Sequence, residues 1–247
     1  MPEDEAHVWV ADHRVDTEEL ESCIALLDPA ERDRASRFRF QKDFRRFVVG
    51  HARVRSILGL YSAAPAAGLR IARRCATCGS EDHGKPSLLP SSGGQSKIRF
   101  SCSYSDQLVL VAVSNGAEIG VDVERVVAGF DWRQIAETAL SPRERARLDA
   151  LDGDAAVRAF FGIWTRKEAV SKVSARGLDQ LTALDTCGWT YEGDEFEVFE
   201  SSSEPSWVGT ELEIPGHQGA VAIEGASSYK WSVRQYPAGP RSGEGGA

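Results

Sequence analysis

The residues of this sequence whose type and spacing suit chemistry are carboxylates. In Gly120-Val-Asp-Val-Glu124 two valines alternate with Asp122 and Glu124. An extended strand sends successive side chains to opposite faces, so the two carboxylates share one face and the valines the other. Two acids on one face repel unless a cation lies between them. Hard oxygen ligands of this kind suit magnesium, which takes its remaining ligands from water and from substrate phosphates. Alone, Asp-x-Glu reads more simply as a strand with one wet face. A second feature shifts the balance. Val157, Phe160, Phe161 and Trp164 mark the apolar stripe of a helix predicted over Ala155–Ser174, and Glu168 follows Trp164 by four residues. Glu168 therefore projects from the core-facing stripe, and Lys172 continues the same line one turn later. An unpaired buried charge costs several kcal/mol, so both need partners. The plainer alternative is an exposed Glu–Lys pair at i, i+4, worth only about 0.2–0.5 kcal/mol.

The elements that position these groups repeat along the chain. Leu27-Asp-Pro-Ala-Glu-Arg-Asp-Arg34 resembles Leu140-Ser-Pro-Arg-Glu-Arg-Ala-Arg147 at an offset of 113 residues. Both read as helix starts, with Asp28 or Ser141 as N-cap, a proline at the first helical position, and Glu31 or Glu144 closing a capping box. An offset of 112 aligns Arg46-Phe-Val-Val-Gly50 with Arg158-Ala-Phe-Phe-Gly162, and the strand-like Val8–Asp12 with Gly120–Glu124. The pattern predicts an α+β fold of two similar α/β halves in pseudo-twofold arrangement, with ligands in the cleft between them. The halves are placed at 1–118 and 119–236, followed by a disordered tail at 237–247. Strands are expected at Leu108–Val113 and Ala220–Ile223, and a long Gly, Ser and Pro-rich loop at residues 73–98.

Composition narrows the function classes. The net charge is −8, which disfavours nucleic acid, yet nine Lys or Arg fall between Arg32 and Arg55, a concentration suited to a polyanionic phosphate. No apolar run of about 18 residues occurs and the acidic start is unlike a signal peptide, so no membrane role and a cytoplasmic location are expected. Five cysteines at uneven spacing suit reduced thiols better than a disulfide scaffold.

Gly120-Val-Asp-Val-Glu124 together with Trp164-Thr-Arg-Lys-Glu-Ala-Val-Ser-Lys172 resembles the paired signature of phosphopantetheinyl transferases of the surfactin-synthetase-activating type. Gly84-Lys-Pro86 and Phe100-Ser-Cys-Ser-Tyr-Ser105 stand in the order that family has. The resemblance implies two similar α/β halves with the active site between them. It implies transfer of the 4′-phosphopantetheine arm of coenzyme A to a serine of an apo acyl or peptidyl carrier protein, releasing adenosine 3′,5′-bisphosphate. Asp122, Glu124 and Glu168 would hold Mg2+, Glu168 would also take the serine proton, and Lys172 would contact the phosphate under attack. Arg46 and Arg34 would lie at the 3′-phosphate end of coenzyme A, and Lys85 and Ser103 would meet its phosphates. A chain supplying both halves of its own cleft is expected to be a monomer.

Two positions depart from the family pattern. Tyr104 stands where a histidine is usual; its hydroxyl donates a hydrogen bond but does not become cationic. Glu31 occupies a place that is basic in some relatives. Tyr104 favours an alternative, a catalytically silent relative that binds coenzyme A or a carrier protein, whereas the full set of candidate ligands opposes it. An unrelated nucleotide-dependent phosphotransferase would need Gly-x-x-x-x-Gly-Lys-Ser/Thr, which is missing. Cys75-x-x-Cys78 followed by His83 has ligand types for zinc, but the second pair of an ordinary ribbon is missing and Cys102 and Cys187 lack such spacing, so a surface loop is preferred. The stretch Val126–Leu140, with Phe130, Trp132 and Ile135, reads either as core or as a contact for a carrier-protein helix.

Overall fold

The computed structural model describes residues 1–75, 78–81, 84–90, 96–174, 181–186, 195–198, 207–225 and 229–237. Beyond Pro237, the expected tail lies outside them. The first half runs β1 (Glu5–Asp12), α1 (Thr17–Leu26), α2 (Pro29–Ser36), α3 (Gln41–Gly59), β2 (Arg70–Arg74), β3 (Lys85–Leu89), β4 (Ile98–Ser105) and β5 (Leu108–Asn115). The second runs β6 (Ile119–Arg125), α4 (Ala136–Ala139), α5 (Pro142–Asp149), α6 (Gly153–Ser174), β7 (Glu195–Val198), β8 (Trp207–Ile214), β9 (His217–Glu224) and β10 (Lys230–Gln235). No described helix is long and apolar enough to cross a membrane.

Sheet topology carries the duplication. One sheet has the order β10-β1-β5-β4 and another β6-β9-β8-β7, so β1-β5-β4 is repeated by β6-β9-β8. Alternation then builds four layers. Ala6, Val8, Val10, Leu110 and Ala112 of the first sheet pack on Val121, Val123, Val221 and Ile223 of the second. The opposite face of the first sheet, through Val109, Val111 and Val113, receives Val54, Ile57 and Leu58 of α3. Ala220 and Ala222 on the opposite face of the second receive Ala169, Val170 and Val173 of α6. The fold is α+β with two similar halves, as expected. Its last strand, counted by position with the second half, hydrogen bonds instead in the first sheet, where β10 runs parallel to β1.

The segment at 73–98 is not one loop. Its start belongs to β2 and its middle to β3, which pairs with β2, and Ile98 opens β4; the short runs of β2 and β3 are masked in the sequence by the Gly, Ser and Pro clusters beside them. Pro86 fits because both strands of a two-stranded sheet are edges, so its missing N–H breaks no central ladder.

Both capping boxes form. Asp28 accepts from the Glu31 amide while Glu31 accepts from the Asp28 amide, and Ser141 and Glu144 repeat the exchange. Each glutamate also reaches a buried cation on the long helix that follows. Glu31 Oε2 lies 2.6 Å from Arg55 Nε, and Glu144 Oε2 lies 2.6 Å from Lys167 Nζ. Arg55 then donates to the Leu69 carbonyl at 2.9 Å, and Lys167 to the Leu184 carbonyl at 2.7 Å. Arg55, Glu144 and Lys167 are completely buried.

This packing is open to two tests. Burial pushes the Glu31 carboxyl up, but hydrogen bonds from His51, the Asp28 amide and Arg55 outweigh it and hold the group at about 2, below the ordinary 4.5. A carboxyl lowered on folding contributes stability above its unfolded value, and that contribution is lost as pH falls toward the folded one. Acid unfolding followed by circular dichroism should therefore steepen between pH 4.5 and 2 in the parent chain, and Glu31→Gln should flatten that part of the profile. Separately, a Cβ on Gly120 would lie 1.9 Å from the Ala169 carbonyl oxygen of α6, whereas one on Gly162 meets only the tip of Glu211 at 3.2 Å. Gly120→Ala should lose at least about 3 kcal/mol in urea denaturation and Gly162→Ala less than about 1 kcal/mol; equal losses would refute the close approach.

Candidate active site

Because β6 buries Val121 and Val123 between the sheets, Gly120, Asp122 and Glu124 face α6. Gly120 lets that helix come within backbone contact, and Lys172 on α6 then reaches the strand. Its Nζ lies 2.7 Å from Asp122 Oδ1 and 3.0 Å from the Val121 carbonyl. The hydrogen bonds of Lys172 thus cross to β6, so the lysine is more than half of a surface Glu168–Lys172 pair. Asp122 is 4 % exposed; its Oδ1 also accepts from Ser103 at 2.7 Å, while its Oδ2 is buried without a hydrogen-bond partner. Glu124 Oε2 accepts from Ser105 at 3.1 Å.

The three carboxylates feel one another. Burial pushes Glu168 up to about 7, with Asp122 and Glu124 adding to the rise and Lys172 opposing it. Burial and then Asp122 raise Glu124, against Ser105, Lys172 and Arg46. Among the described residues no three His, Cys, Asp or Glu side chains are gathered closely enough to hold an ion as they stand. The donor set nevertheless fits magnesium: three hard carboxylates, two of which, Glu124 and Glu168, are raised by burial and by Asp122, and one buried carboxylate oxygen of Asp122 left open.

A basic and aromatic recess lies beside this cluster. Arg46 Nη2 donates to the Tyr104 carbonyl at 3.1 Å, and the Arg34 guanidinium sits 5.4 Å from the centre of the Phe47 ring. Arg34, Arg73, Phe47, His51 and Tyr104 line a cavity of about 190 Å3. An adjoining cleft of about 340 Å3 is lined by Phe38, Arg46, Phe47, His51 and Tyr104. Burial, and then Cys102, push the Tyr104 hydroxyl well above its usual range, so it remains a neutral donor. Glu31, whose place is basic in some relatives, is occupied by Arg55 and by His51 Nδ1 at 2.8 Å. Lys85 stands apart from both groups: it pairs with Glu118 and lies 3.4 Å from the Val173 carbonyl, at the rim of a separate cavity of about 410 Å3.

Several neighbours escape a reading of the sequence. His51 stacks on Phe47 with ring centres 4.0 Å apart, a contact that their i, i+4 spacing on α3 announces. Arg73 hides in the segment whose composition reads as loop. Ser105 shares a strand face with Ser103 by its spacing of two. In the Val126–Leu140 stretch the core reading holds for Trp132, which is buried, and for Phe130, whose ring lies 5.3 Å from that of Phe160. Val127 is exposed. Cys75 and Cys78 form no disulfide, and the Gly79 amide donates to the Cys75 carbonyl at 2.9 Å; His83 and Cys187 lie outside the described residues.

Comparison with known proteins agrees with this arrangement in both halves. The family model described as 4′-phosphopantetheinyl transferase superfamily matches residues 118–224, and the one described as 4′-phosphopantetheinyl transferase, N-terminal, matches residues 13–116. The 4′-phosphopantetheinyl transferase HetI of Nostoc sp. is 29% identical over 236 residues, covering 94% of this chain and 91% of its own. The 4′-phosphopantetheinyl transferase Sfp of Bacillus subtilis is 24% identical over 212 residues, covering 85% and 88%. The 4′-phosphopantetheinyl transferase AcpT of Escherichia coli is 30% identical over 105 residues, covering 42% of this chain and 52% of its own. Matched in order through both halves, the chain belongs to the 4′-phosphopantetheinyl transferase superfamily.

Proposed function

We propose that this chain moves the 4′-phosphopantetheine arm of coenzyme A onto a serine of an apo acyl or peptidyl carrier protein, with magnesium, releasing adenosine 3′,5′-bisphosphate. The observation that carries the reading is the excess of carboxylate at the junction of β6 and α6. Asp122, Glu124 and Glu168 face the ammonium of Lys172, and Asp122 Oδ2 is buried without a partner. A pyrophosphate approaching three carboxylates needs added positive charge, which magnesium held by Asp122, Glu124 and Glu168 would supply when bound.

The side chains have separable roles. Phosphoryl transfer leaves a protein little covalent work, so positioning and charge carry most of the effect. The carrier serine Oγ forms the new bond to phosphorus, the bond from that phosphorus to the bridging oxygen breaks, and the electron pair leaves on the adenosine bisphosphate. Glu168, which burial and its carboxylate neighbours raise to about 7 before a metal binds, is assigned to take the serine proton. Lys172 is assigned to the phosphate under attack. Arg34 and Arg46, with Tyr104 as a neutral donor, bind the nucleotide end, where guanidinium groups suit phosphate. Ser103 and Lys85 are assigned to the coenzyme A phosphates, Lys85 by leaving Glu118 when the ligand enters. We further propose a cytoplasmic monomer: none of Cys23, Cys75, Cys78 and Cys102 is in a disulfide, and both halves of the cleft come from one chain.

A second reading, binding without transfer, draws on Tyr104, which lacks a cationic form. Intact-mass analysis of apo carrier proteins incubated with the purified chain, coenzyme A and Mg2+ separates the two. Transfer predicts a gain of one phosphopantetheine, abolished by chelator and slowed at least about 100-fold by Glu168→Gln. Coenzyme A binding with no mass gain on fatty-acid, polyketide and peptide carriers would sink transfer in favour of the silent binder.

A further inference from the structure

The strand β6 is the edge of its sheet, and β4 is the edge of the other. An edge strand carries backbone N–H groups that its own sheet does not satisfy, and buried ones need a partner. Here the partners are side chains. The Val121 amide donates to Ser101 Oγ at 3.2 Å, the Val123 amide to Ser103 Oγ at 3.4 Å, and the Arg125 amide to Ser105 Oγ at 2.9 Å. The spacing of two along β4 places all three hydroxyls on one face, and the same spacing along β6 aims three amides at them. All three serines are buried. Serine hydroxyls thus join two sheets that, among the described residues, share no backbone ladder.

A hydroxyl that accepts an amide still has a proton to donate. Ser103 gives it to Asp122 Oδ1 at 2.7 Å and Ser105 to Glu124 Oε2 at 3.1 Å. Ser101 faces the corresponding position at Gly120, which has no side chain to receive one. The ladder therefore contains its own internal control: three rungs tie the sheets together, and two of them also grip a carboxylate. We propose that Ser105, together with Ser103, is a positioning residue, fixing the rotamers of Glu124 and Asp122 so that each keeps its second oxygen for the divalent cation. Outer hydrogen bonds to ligating carboxylates orient them in this way. The proposal rests on the reading of Asp122 and Glu124 as ligands. It assigns Ser103 a duty toward Asp122 before any toward coenzyme A.

Mg2+ titrated calorimetrically into the full-length chain, alongside thermal unfolding, tests it with Ser101→Ala, Ser105→Ala and Ser105→Thr. Both alanine variants should lower the melting temperature, since each loses a rung. Only Ser105→Ala should weaken Mg2+ binding, by about 10-fold, and raise the Mg2+ concentration needed for half-maximal transfer more than it lowers the maximal rate. Ser105→Thr, which keeps the hydroxyl, should restore the affinity. Mg2+ affinity within about twofold of the parent in Ser105→Ala, or an equal loss in Ser101→Ala, would overturn the positioning role while leaving the metal reading intact. A parent chain that binds no Mg2+ would overturn the metal reading itself and the positioning role with it.

Discussion

The interaction on which the rest of the structure depends is the buried pairing of a helix-cap glutamate with a cation on the next long helix, made once in each half. Glu31 with Arg55, and Glu144 with Lys167, tie three separate pieces of chain together: the start of a short helix, the middle of a long one, and a following loop through its carbonyls. Such pairs are weak evidence for net stability, because desolvating two charges offsets most of their attraction. What they supply is a single arrangement. With Glu144 and Lys167 completely buried, any rotation of α6 would strand a charge in the core. Glu168 and Lys172 lie on that pinned helix, so their direction is inherited from a contact that touches no substrate.

The second constraint is the absence of a side chain at Gly120. It lets α6 pack against the β6 backbone, closely enough for Lys172 to donate both to Asp122 and to the Val121 carbonyl. The result is a local imbalance of charge: three carboxylates in partial burial, with the ammonium committed to one of them. Burial and mutual repulsion raise Glu168 to about 7, whereas Glu31, also partly buried but supplied with His51, Arg55 and an amide, is held at about 2. One residue type is held at two widely different proton affinities because the number of donors around it differs.

How much of this is legible in the sequence depends on the range of the interaction. Capping boxes, the apolar stripe of α6 and the alternation in β6 are local patterns, and spacing alone puts Asp122 and Glu124 on one strand face and Glu168 on the core-facing side of its helix. The offset between the halves reveals the repeated architecture for the same reason. The partners of the cap glutamates do not show, because an Arg or Lys inside a helix gives no sign of which distant carboxylate it meets. The serine hydroxyls on β4 are visible as a motif, but their bonding to β6 follows from the meeting of two edge strands, which only the topology decides. The parallel pairing of β10 with β1 joins opposite ends of the chain and has no local signal at all. Lys85 reads from its motif as facing the phosphates; its pairing with Glu118, 33 residues away, has no local signal.

The duplication also explains why the acidic cluster and the basic recess lie on different halves. By strand face, Asp122 and Glu124 correspond to Trp9 and Ala11, because Val8 and Val10 point between the sheets as Val121 and Val123 do; along the helices, an offset of 112 sets Glu168 and Lys172 against Ser56 and Leu60. Trp9 donates to the Tyr61 hydroxyl at 2.7 Å, Ala11 is buried, and Leu60 is exposed. The first half thus has the same framework without the acidic cluster, and it carries the recess of Arg34, Arg46 and Arg73 instead. Carboxylates and guanidinium groups placed in one half would pair and neutralise each other; Arg46 already acts on Glu124 across the junction. Keeping them on opposite halves leaves both sets open, but makes their relative position depend on every bond that crosses. The serine hydroxyls between β4 and β6 and the return of β10 to the first sheet are among those bonds, and they enter the first sheet at its two opposite edges. A sheet held at both edges by the other half has little freedom to rotate, which fixes the basic recess of the first half relative to the acidic cluster of the second.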